Sequence, residues 1–265
     1  MFPAERLNKI KEILIEEKQL DITTLSQMLH VTEVTMRRDL EKLENENFLT
    51  RTHGGAVINE EQSIAKARNV FNENDPKAEQ HQTIGEIANY FINDGDVIFL
   101  GAGTISRYIA RALKGKSRIS AVTTDLLVAM DIAIYLPEVK VIFPGGDLNP
   151  HNFQLYGRVT EQSIKNLYYN IAFVNVDGVS IQRGYTVDNI DKAYIGNDVM
   201  SVSKKTIAVC DDSSFDHISF APLGPIETFN TIISSEQTPE MYKEYFFKNG
   251  IQFFCTFDVY RRNEE

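Results

Sequence analysis

Apolar residues recur with the 3.6-residue period of amphipathic helices in the first part of the chain. From Lys77 onward they gather into short continuous runs separated by helical stretches. At the start, Leu7, Ile10 and Leu14 share one face, and Glu5, Lys9, Glu12 and Glu16 the other; Pro3 stands where a helix start tolerates it. Ile22 reads as a short strand. Thr24-Leu25-Ser26-Gln27 resembles a capping box and opens a second short helix ending near Leu29, with Leu25, Met28 and Leu29 turned inward. A sharp turn leads to a third helix, capped by Thr32 and buried along Met36, Leu40 and Leu43. Val34, Arg37 and Arg38 fall on its solvent side. Behind it, Arg51-Thr52-His53-Gly54-Gly55-Ala56 reads as a basic, glycine-hinged loop. This order of elements predicts a winged helix-turn-helix.

Glycine is absent before Gly54, and Pro3 is the only proline before Pro76, so a compact first domain is expected over residues 1–57. Residues 58–76 are polar and rich in Asn and Glu, as a linker is. In the third segment, 77–265, Ile84, Ile87, Ala88 and Phe91 mark a helix face. Strands are predicted at Val97–Leu100, Ile119–Val122, Val139–Phe143, Ile171–Val176, Thr206–Cys210 and Thr231–Ser234. Helices are predicted from Thr104 to Leu113 and over 125–135, 159–167, 191–203 and 239–248. Alternation of this kind predicts an α/β layer on a mainly parallel sheet.

Composition narrows the partners. The chain has 265 residues, 43% of them apolar, and a formal net charge of −10, which repels bulk DNA. Across residues 35–57, Arg37, Arg38, Lys42 and Arg51 are offset by Asp39, Glu41, Glu44 and Glu46, so phosphate affinity must come from local placement. Thr32, Val34, Thr35, Arg37 and Arg38 suit a major groove: arginine forks match guanine edges and phosphates, and methyl groups touch thymine. Arg51, His53 and Gly54 form a cationic wing tip. A protein-binding three-helix unit is the alternative. Cys210 and Cys255 lack metal-ligand spacing and read as thiols of an intracellular protein. With no bilayer-length apolar run and no signal peptide, a cytoplasmic location is expected.

Ligands of open parallel sheets bind beyond the carboxyl ends of the strands. That singles out the loops Gly101–Ser106, Thr123–Asp125, Gly145–Asp147, Asp177–Gly178 and Asp211–Ser214. Gly103 and Thr104 open a helix directly after a strand, where backbone N–H groups and the Thr104 and Ser106 hydroxyls suit a phosphate. Ordinary glycine turns are the alternative reading of both Gly103 and Gly145-Gly146.

The run from about Arg6 to Val57 resembles the N-terminal domain of the DeoR family of bacterial transcriptional regulators. Val31, Thr35, Arg37, Arg38, Asp39, Leu40, Arg51, His53, Gly54, Gly55 and Ala56 carry the likeness; Thr32, Met36 and Asn47 depart from it. Residues from about 77 to 235 resemble that family's C-terminal sensor domain. The matches there are Asp94-Gly95-Asp96, Gly103-Thr104, Thr123-Thr124, Gly145-Gly146, Gly157, Asp177-Gly178-Val179, Gly184-x-Thr186 and Asp211-x-Ser213. The resemblance implies a fold akin to ribose-5-phosphate isomerase and coenzyme A transferases, and sensing of phosphorylated sugars. It also shows departures. Gly101 and Lys192 replace family acids, Ser214 replaces a lysine, and Ile105 stands where threonine is usual. Either the phosphate-binding cation has moved to Lys192, or the ligand differs, or the sensor has drifted.

The expectation is thus a DNA-binding repressor, not an enzyme, that binds double-stranded operator DNA without a cofactor or metal. It is expected to assemble as a homodimer or homotetramer and to answer to a phosphorylated sugar or similar anion. The expected effector residues are Gly101, Ala102, Gly103, Thr104, Ser106, Thr123, Asp125, Gly145, Gly146, Asp177, Lys192 and Asp211. The alternatives are an isomerase-like activity using Asp125, Asp177 or Asp211 as a base, and a DNA-binding protein with no small ligand.

Overall fold

A computed structural model divides the chain into two compact units, Met1–Asp75 and Pro76–Glu265. The structure describes residues 6–7, 9–11, 13–14, 19–45, 48–52, 54–58 and 75–256. Glu5, Glu12, Glu16, Asn47, His53 and most of the expected linker lie outside these residues.

In the first unit, helical residues between 6 and 14 lead to strand β1 (Gln19–Asp21), helix α1 (Ile22–Met28), helix α2 (Glu33–Asn45) and strands β2 (Leu49–Arg51) and β3 (Gly55–Ile58). The strands form an antiparallel sheet in the order β1-β3-β2. Ile10, Leu14, Leu25, Leu29, Met36, Leu40 and Leu43 close one core with Phe48, Leu49 and Ala56, as the helical spacing requires. Three local expectations are corrected. Ile22 begins a helix, and the strand lies just before it. The cap is Asp21, whose carboxylate accepts the Thr24 N–H at 2.8 Å; Thr24-Leu25-Ser26-Gln27 already lies inside the helix. Met28, the last residue of α1, is 51% exposed, and Leu25, Ser26 and Leu29 are the buried residues there. Gly55 is required by a close approach of strands: a Cβ there would lie 2.2 Å from the Leu20 carbonyl oxygen. Beneath α2, the buried Asp39 carboxylate accepts from Arg6 Nε at 2.5 Å, so this acid of the Arg-Arg-Asp run is a strut and not a groove contact.

The second unit begins with α3 (Ala78–Tyr90), β4 (Val97–Leu100), α4 (Thr104–Ala112), β5 (Ser120–Thr123), α5 (Leu126–Tyr135) and β6 (Lys140–Ile142). A hairpin follows, β7 (Asp147–Asn149) and β8 (Gln154–Tyr156), then α6 (Arg158–Lys165) and β9 (Ile171–Asn175). Strands β10 (Gly178–Ser180) and β11 (Gly184–Val187) precede α7 (Ile190–Val202) and β12 (Thr206–Val209). The remainder is β13 (Ala221–Gly224), β14 (Thr231–Ile233), α8 (Glu240–Lys248) and β15 (Gln252–Phe254). Seven parallel strands form the main sheet in the order β15-β14-β12-β9-β4-β5-β6.

Continuous apolar strands are what a sheet covered on both faces needs. Ile98, Leu100, Ile171, Phe173, Ile207 and Val209 pack with α3, α4 and α5. The alternate residues Phe99, Ala172, Val174 and Ala208 pack with α7 and α8 on the opposite face, together with β10, β11 and β13. Between α4 and α5, Asp131 is buried and accepts from Arg107 Nε at 2.9 Å and from Arg111 at 3.1 Å. Every strand expected from the apolar runs is present. The β7–β8 hairpin, the small β10-β11-β13 sheet and β15 were not expected, because each is three or four residues long and lacks a continuous apolar run.

Candidate functional site

The first candidate surface is the solvent side of α2. Thr32 Oγ1 accepts the Thr35 N–H at 3.3 Å and lies 3.0 Å from the Thr35 hydroxyl, which fixes the helix start. Val34 is 64% exposed. Arg37 and Arg38 are exposed one turn further on; Arg37 reaches back to Glu33 at 3.4 Å, a weak surface pair. In the hairpin behind, the Thr52 N–H donates to the Gly55 carbonyl at 3.0 Å and leaves Gly54 at an exposed tip. Arg51 is held by Glu44, which accepts its Nε at 2.6 Å and its backbone N–H at 3.0 Å. These contacts lower the Glu44 pKa. The structure therefore groups Thr32, Val34, Thr35, Arg37 and Arg38 on one face. Arg51 turns toward a carboxylate, and His53 lies outside the described residues.

The second candidate is a cleft at the carboxyl ends of β4, β5 and β9. Phe99, Val174, Ile195 and Gly196 form its apolar floor, with Gly101, Ala102, Thr124 and Gln154 also buried; Tyr156, Asn175 and Lys192 are only partly buried. Its cavity volume is about 20 Å³, room for about one water. Lys192 is placed by the first turn of α7, where Asn189 caps the helix by accepting the Lys192 N–H at 2.8 Å. Its side chain is 12% exposed, and its ammonium donates to both Asp177 oxygens, at 3.0 and 2.7 Å, with Asp188 at 3.4 Å.

Of the expected effector residues, Gly101, Ala102 and Lys192 meet at this cleft, and Asp177 reaches it by holding Lys192. The others are engaged elsewhere. The buried Asp125 caps α5 through the Leu127 and Val128 N–H groups and also accepts the Gly103 N–H at 3.0 Å. Burial raises the pKa of its carboxyl, with these hydrogen bonds opposing. A carboxylate thus occupies a donor that a phosphate over Gly103 would use. The Ser106 hydroxyl points inward to Asn175 Oδ1 at 2.6 Å, and Thr123 is buried while accepting the Asp125 N–H. Thr104, the first residue of α4, is only partly buried and is not among the cleft residues.

Gly146 is a packing glycine, whereas Gly145 is exposed with room for a side chain. The Thr160 hydroxyl donates to the Gly145 carbonyl at 2.9 Å, and a Cβ on Gly146 would strike the Thr160 side chain. Asp211 belongs to another cluster, accepting from Lys77 Nζ at 2.9 Å, with His81 Nε2 at 3.1 Å and the Ser213 N–H at 2.8 Å. Burial alone would raise its pKa, but the hydrogen bonds from His81, Ser213 and Lys77 outweigh it and hold the carboxyl well below the usual range. Ser214 is buried against the Val176 carbonyl at 3.3 Å.

Sequence reasoning missed Gln154, Tyr156 and Asn175. Asn175 ends β9, so the strand-end rule reaches it two residues before the loop it singled out. Gln154 and Tyr156 belong to the unforeseen hairpin. Among the described residues no helix is long and apolar enough to cross a membrane.

Comparison with known proteins matches both units. The family model described as the DeoR-like helix-turn-helix domain matches residues 6–62, and the one described as the DeoR C terminal sensor domain matches residues 76–236. The HTH-type transcriptional regulator GolR of Listeria innocua is 27% identical over 249 residues, 92% of this chain and 96% of its own. A putative aga operon transcriptional repressor of Escherichia coli O157:H7 is 26% identical over 94% of this chain and 92% of its own. The HTH-type transcriptional regulator YulB of Bacillus subtilis is 30% identical over 88% and 89%. Among solved structures, ribose 5-phosphate isomerase A of Methanocaldococcus jannaschii aligns with a TM-score of 0.39 and 16% identity, over 52% of this chain and 55% of that one. The sorbitol operon regulator SorC of Klebsiella pneumoniae aligns with a TM-score of 0.39 and 12% identity, over 93% and 99%. With both of its units matched by the models of one family, the chain belongs to the DeoR family of helix-turn-helix transcriptional regulators.

Proposed function

We propose that this regulator is a repressor whose hold on operator DNA is released by an anionic, phosphorylated metabolite bound in the second unit. Thr32, Val34, Thr35, Arg37 and Arg38 read the major groove, and Arg51, His53 and Gly54 lie against the backbone beside it. The effector enters the cleft at Gly101, Ala102 and Lys192. The observation that carries this reading is the Lys192 ammonium, nearly buried at the carboxyl ends of the central strands, where parallel sheets take their ligands. A buried amine is costly unless something satisfies it. Asp177 does so here, and an effector phosphate takes over part of that role when it binds. By linkage, a ligand that prefers one arrangement of the molecule shifts it away from the DNA-competent one.

Catalysis is not needed. The three carboxylates that an isomerase-like reaction would draw on are engaged: Asp125 in a helix cap, Asp177 with Lys192, and Asp211 with Lys77 and His81. Relatives are named as regulators and repressors, which supports the same reading. The test is selection of an operator from random DNA, followed by titration of the complex with sugar phosphates and the corresponding free sugars. Release by phosphorylated compounds alone is expected. Release by none of them, or equally by the free sugars, overturns the effector assignment.

A further inference from the structure

The cleft has room for about one water, so any metabolite must open it. Three partly buried residues stand around it. Asn175 ends the central strand β9 and is crowded by Gly101 and Gly103; a Cβ on either glycine would lie within 3.1 Å of an Asn175 side-chain atom. Lys192 is tied to Asp177 and Asp188. Tyr156 is held by hydrogen bonds to its hydroxyl and by its carbonyl, which accepts the Thr160 hydroxyl at 2.9 Å. The β8 backbone before it is anchored to the β5 loop, with the Leu155 N–H donating to the Thr124 carbonyl at 2.8 Å and the Leu126 N–H to the Phe153 carbonyl at 2.9 Å. Immediately after it, Gly157, with a φ of 89°, caps α6 and accepts the Glu161 N–H at 3.1 Å.

The side chain itself reaches the start of α7 through Asn189 Nδ2, which donates to its hydroxyl at 3.3 Å. That hydroxyl also accepts from Asn152 Nδ2 at 2.9 Å and donates to Gln154 Oε1. Two amide donors and one amide acceptor therefore converge on a single hydroxyl at the cleft, as they would on a hydroxyl of a sugar.

We propose that the Tyr156 side chain is the gate of the cleft and that its hydroxyl holds the place of a ligand hydroxyl among Asn152, Gln154 and Asn189. The ligand class is then a phosphorylated polyhydroxy compound: Lys192 takes the phosphate and the amide set takes a hydroxyl once the phenol swings out. This deepens the effector assignment and rests on it for the ligand, though the gate can be tested without one.

A cysteine in the cleft reports access. In the full chain carrying Ala102→Cys and Cys255→Ser, the remaining thiol, Cys210, is buried, and burial pushes its pKa up to about 12, so it stays unreactive. With Tyr156 in place, modification at position 102 by a methanethiosulfonate reagent is slow. Adding Tyr156→Ala speeds it about tenfold or more, because access scales with the open fraction. Tyr156→Phe, which keeps the ring and loses the latch, gives a smaller gain and guards against a folding defect in the alanine variant. Unchanged rates in both variants, or fast modification with Tyr156 present, overturn the gate.

Ribose 5-phosphate, glucose 6-phosphate and inorganic phosphate are then compared as protectants of position 102 in the Tyr156→Ala background. Protection by a sugar phosphate at concentrations where inorganic phosphate gives none supports the place-holder role. Equal protection by inorganic phosphate overturns that role. A gate that opens in Tyr156→Ala while no compound protects supports the gate and sinks the sugar-phosphate effector, so the two failures are told apart.

Discussion

In the helix-turn-helix unit, Arg37 and Arg38 stand exposed on α2, whereas in the sensor unit Lys192 and Arg107 are folded inward against Asp177 and Asp131. The same kind of charge is used in two ways. An exposed guanidinium keeps its hydration until phosphate displaces counterions, so it acts by position and its effect falls with salt. An inward ammonium or guanidinium has lost its hydration and is tolerated only with a carboxylate beside it. A molecule with a net charge of −10 can therefore bind a polyanion through a few outward arginines, and its inward cations serve the fold or a ligand able to replace their partners.

The largest expected effect lies in the inward set. Asp131→Ala removes the buried carboxylate that accepts from Arg107, whose side chain is 5% exposed, and from Arg111. Breaking a buried pair from one side costs about 3–5 kcal/mol. Chemical denaturation of the full chain should show that loss in the transition of the sensor unit. A loss below about 1 kcal/mol, the level of an exposed pair, would erase the distinction between inward and outward charge.

The outward set comes next. Arg37→Ala and Arg38→Ala should each weaken specific operator binding by about 1–3 kcal/mol. Unfolding free energy should stay within about 0.5 kcal/mol, since neither side chain is buried. Operator titration of both folded variants decides it, and wild-type affinity in the two would remove α2 from the groove.

What the sequence made legible follows the same division. Helices and central strands announce themselves because burial imposes a period: Met36, Leu40 and Leu43 on α2, and the doubly buried runs Val97–Leu100 and Ile171–Val176 in the sheet. The exposed residues Val34, Arg37 and Arg38 were legible as the complement of that period. The cleft was legible only in part. Gly101, Ala102 and Lys192 sit beside elements with strong periods. Gln154 and Tyr156 sit on a hairpin of two three-residue strands, too short for any period to show. Nor does a sequence reveal which polar group another has already claimed. Asp125, Ser106 and Thr123 read as ligand donors until the cap of α5 and the Asn175 contact account for them.

A smaller effect tests whether inward charge can be handed to a ligand. Lys192→Gln should abolish effector-driven release of DNA and leave operator affinity without effector unchanged. Asp177→Asn should do the reverse to the ligand: with one carboxylate removed from the ammonium, an anion competes less and binds about tenfold tighter. The readout is the effector concentration that half-dissociates the operator complex. Equal sensitivity in Asp177→Asn and wild type would mean that the Lys192–Asp177 pair is only structural.

The smallest effect falls on a residue that straddles the comparison. Arg51 belongs to the outward unit yet is paired, its Nε 2.6 Å from Glu44 and its backbone N–H on the same carboxylate. As a wing cation, its removal in Arg51→Ala should weaken binding to all DNA sequences alike and flatten the salt dependence. Because Glu44 already satisfies it, the change in slope should fall short of the about 0.9 expected for a phosphate contact fully lost. Glu44→Gln gives the opposite sign. The glutamine carbonyl still accepts the Arg51 N–H, the guanidinium is released toward phosphate, and an acid beside the DNA disappears, so affinity should rise and the slope steepen. Binding isotherms over a salt series for both variants separate the outcomes. A steeper slope in Glu44→Gln with a flatter one in Arg51→Ala places Arg51 with Arg37 and Arg38. No change in either leaves it as a strut of the hairpin, grouped with Asp39 and Arg6 and not with the groove.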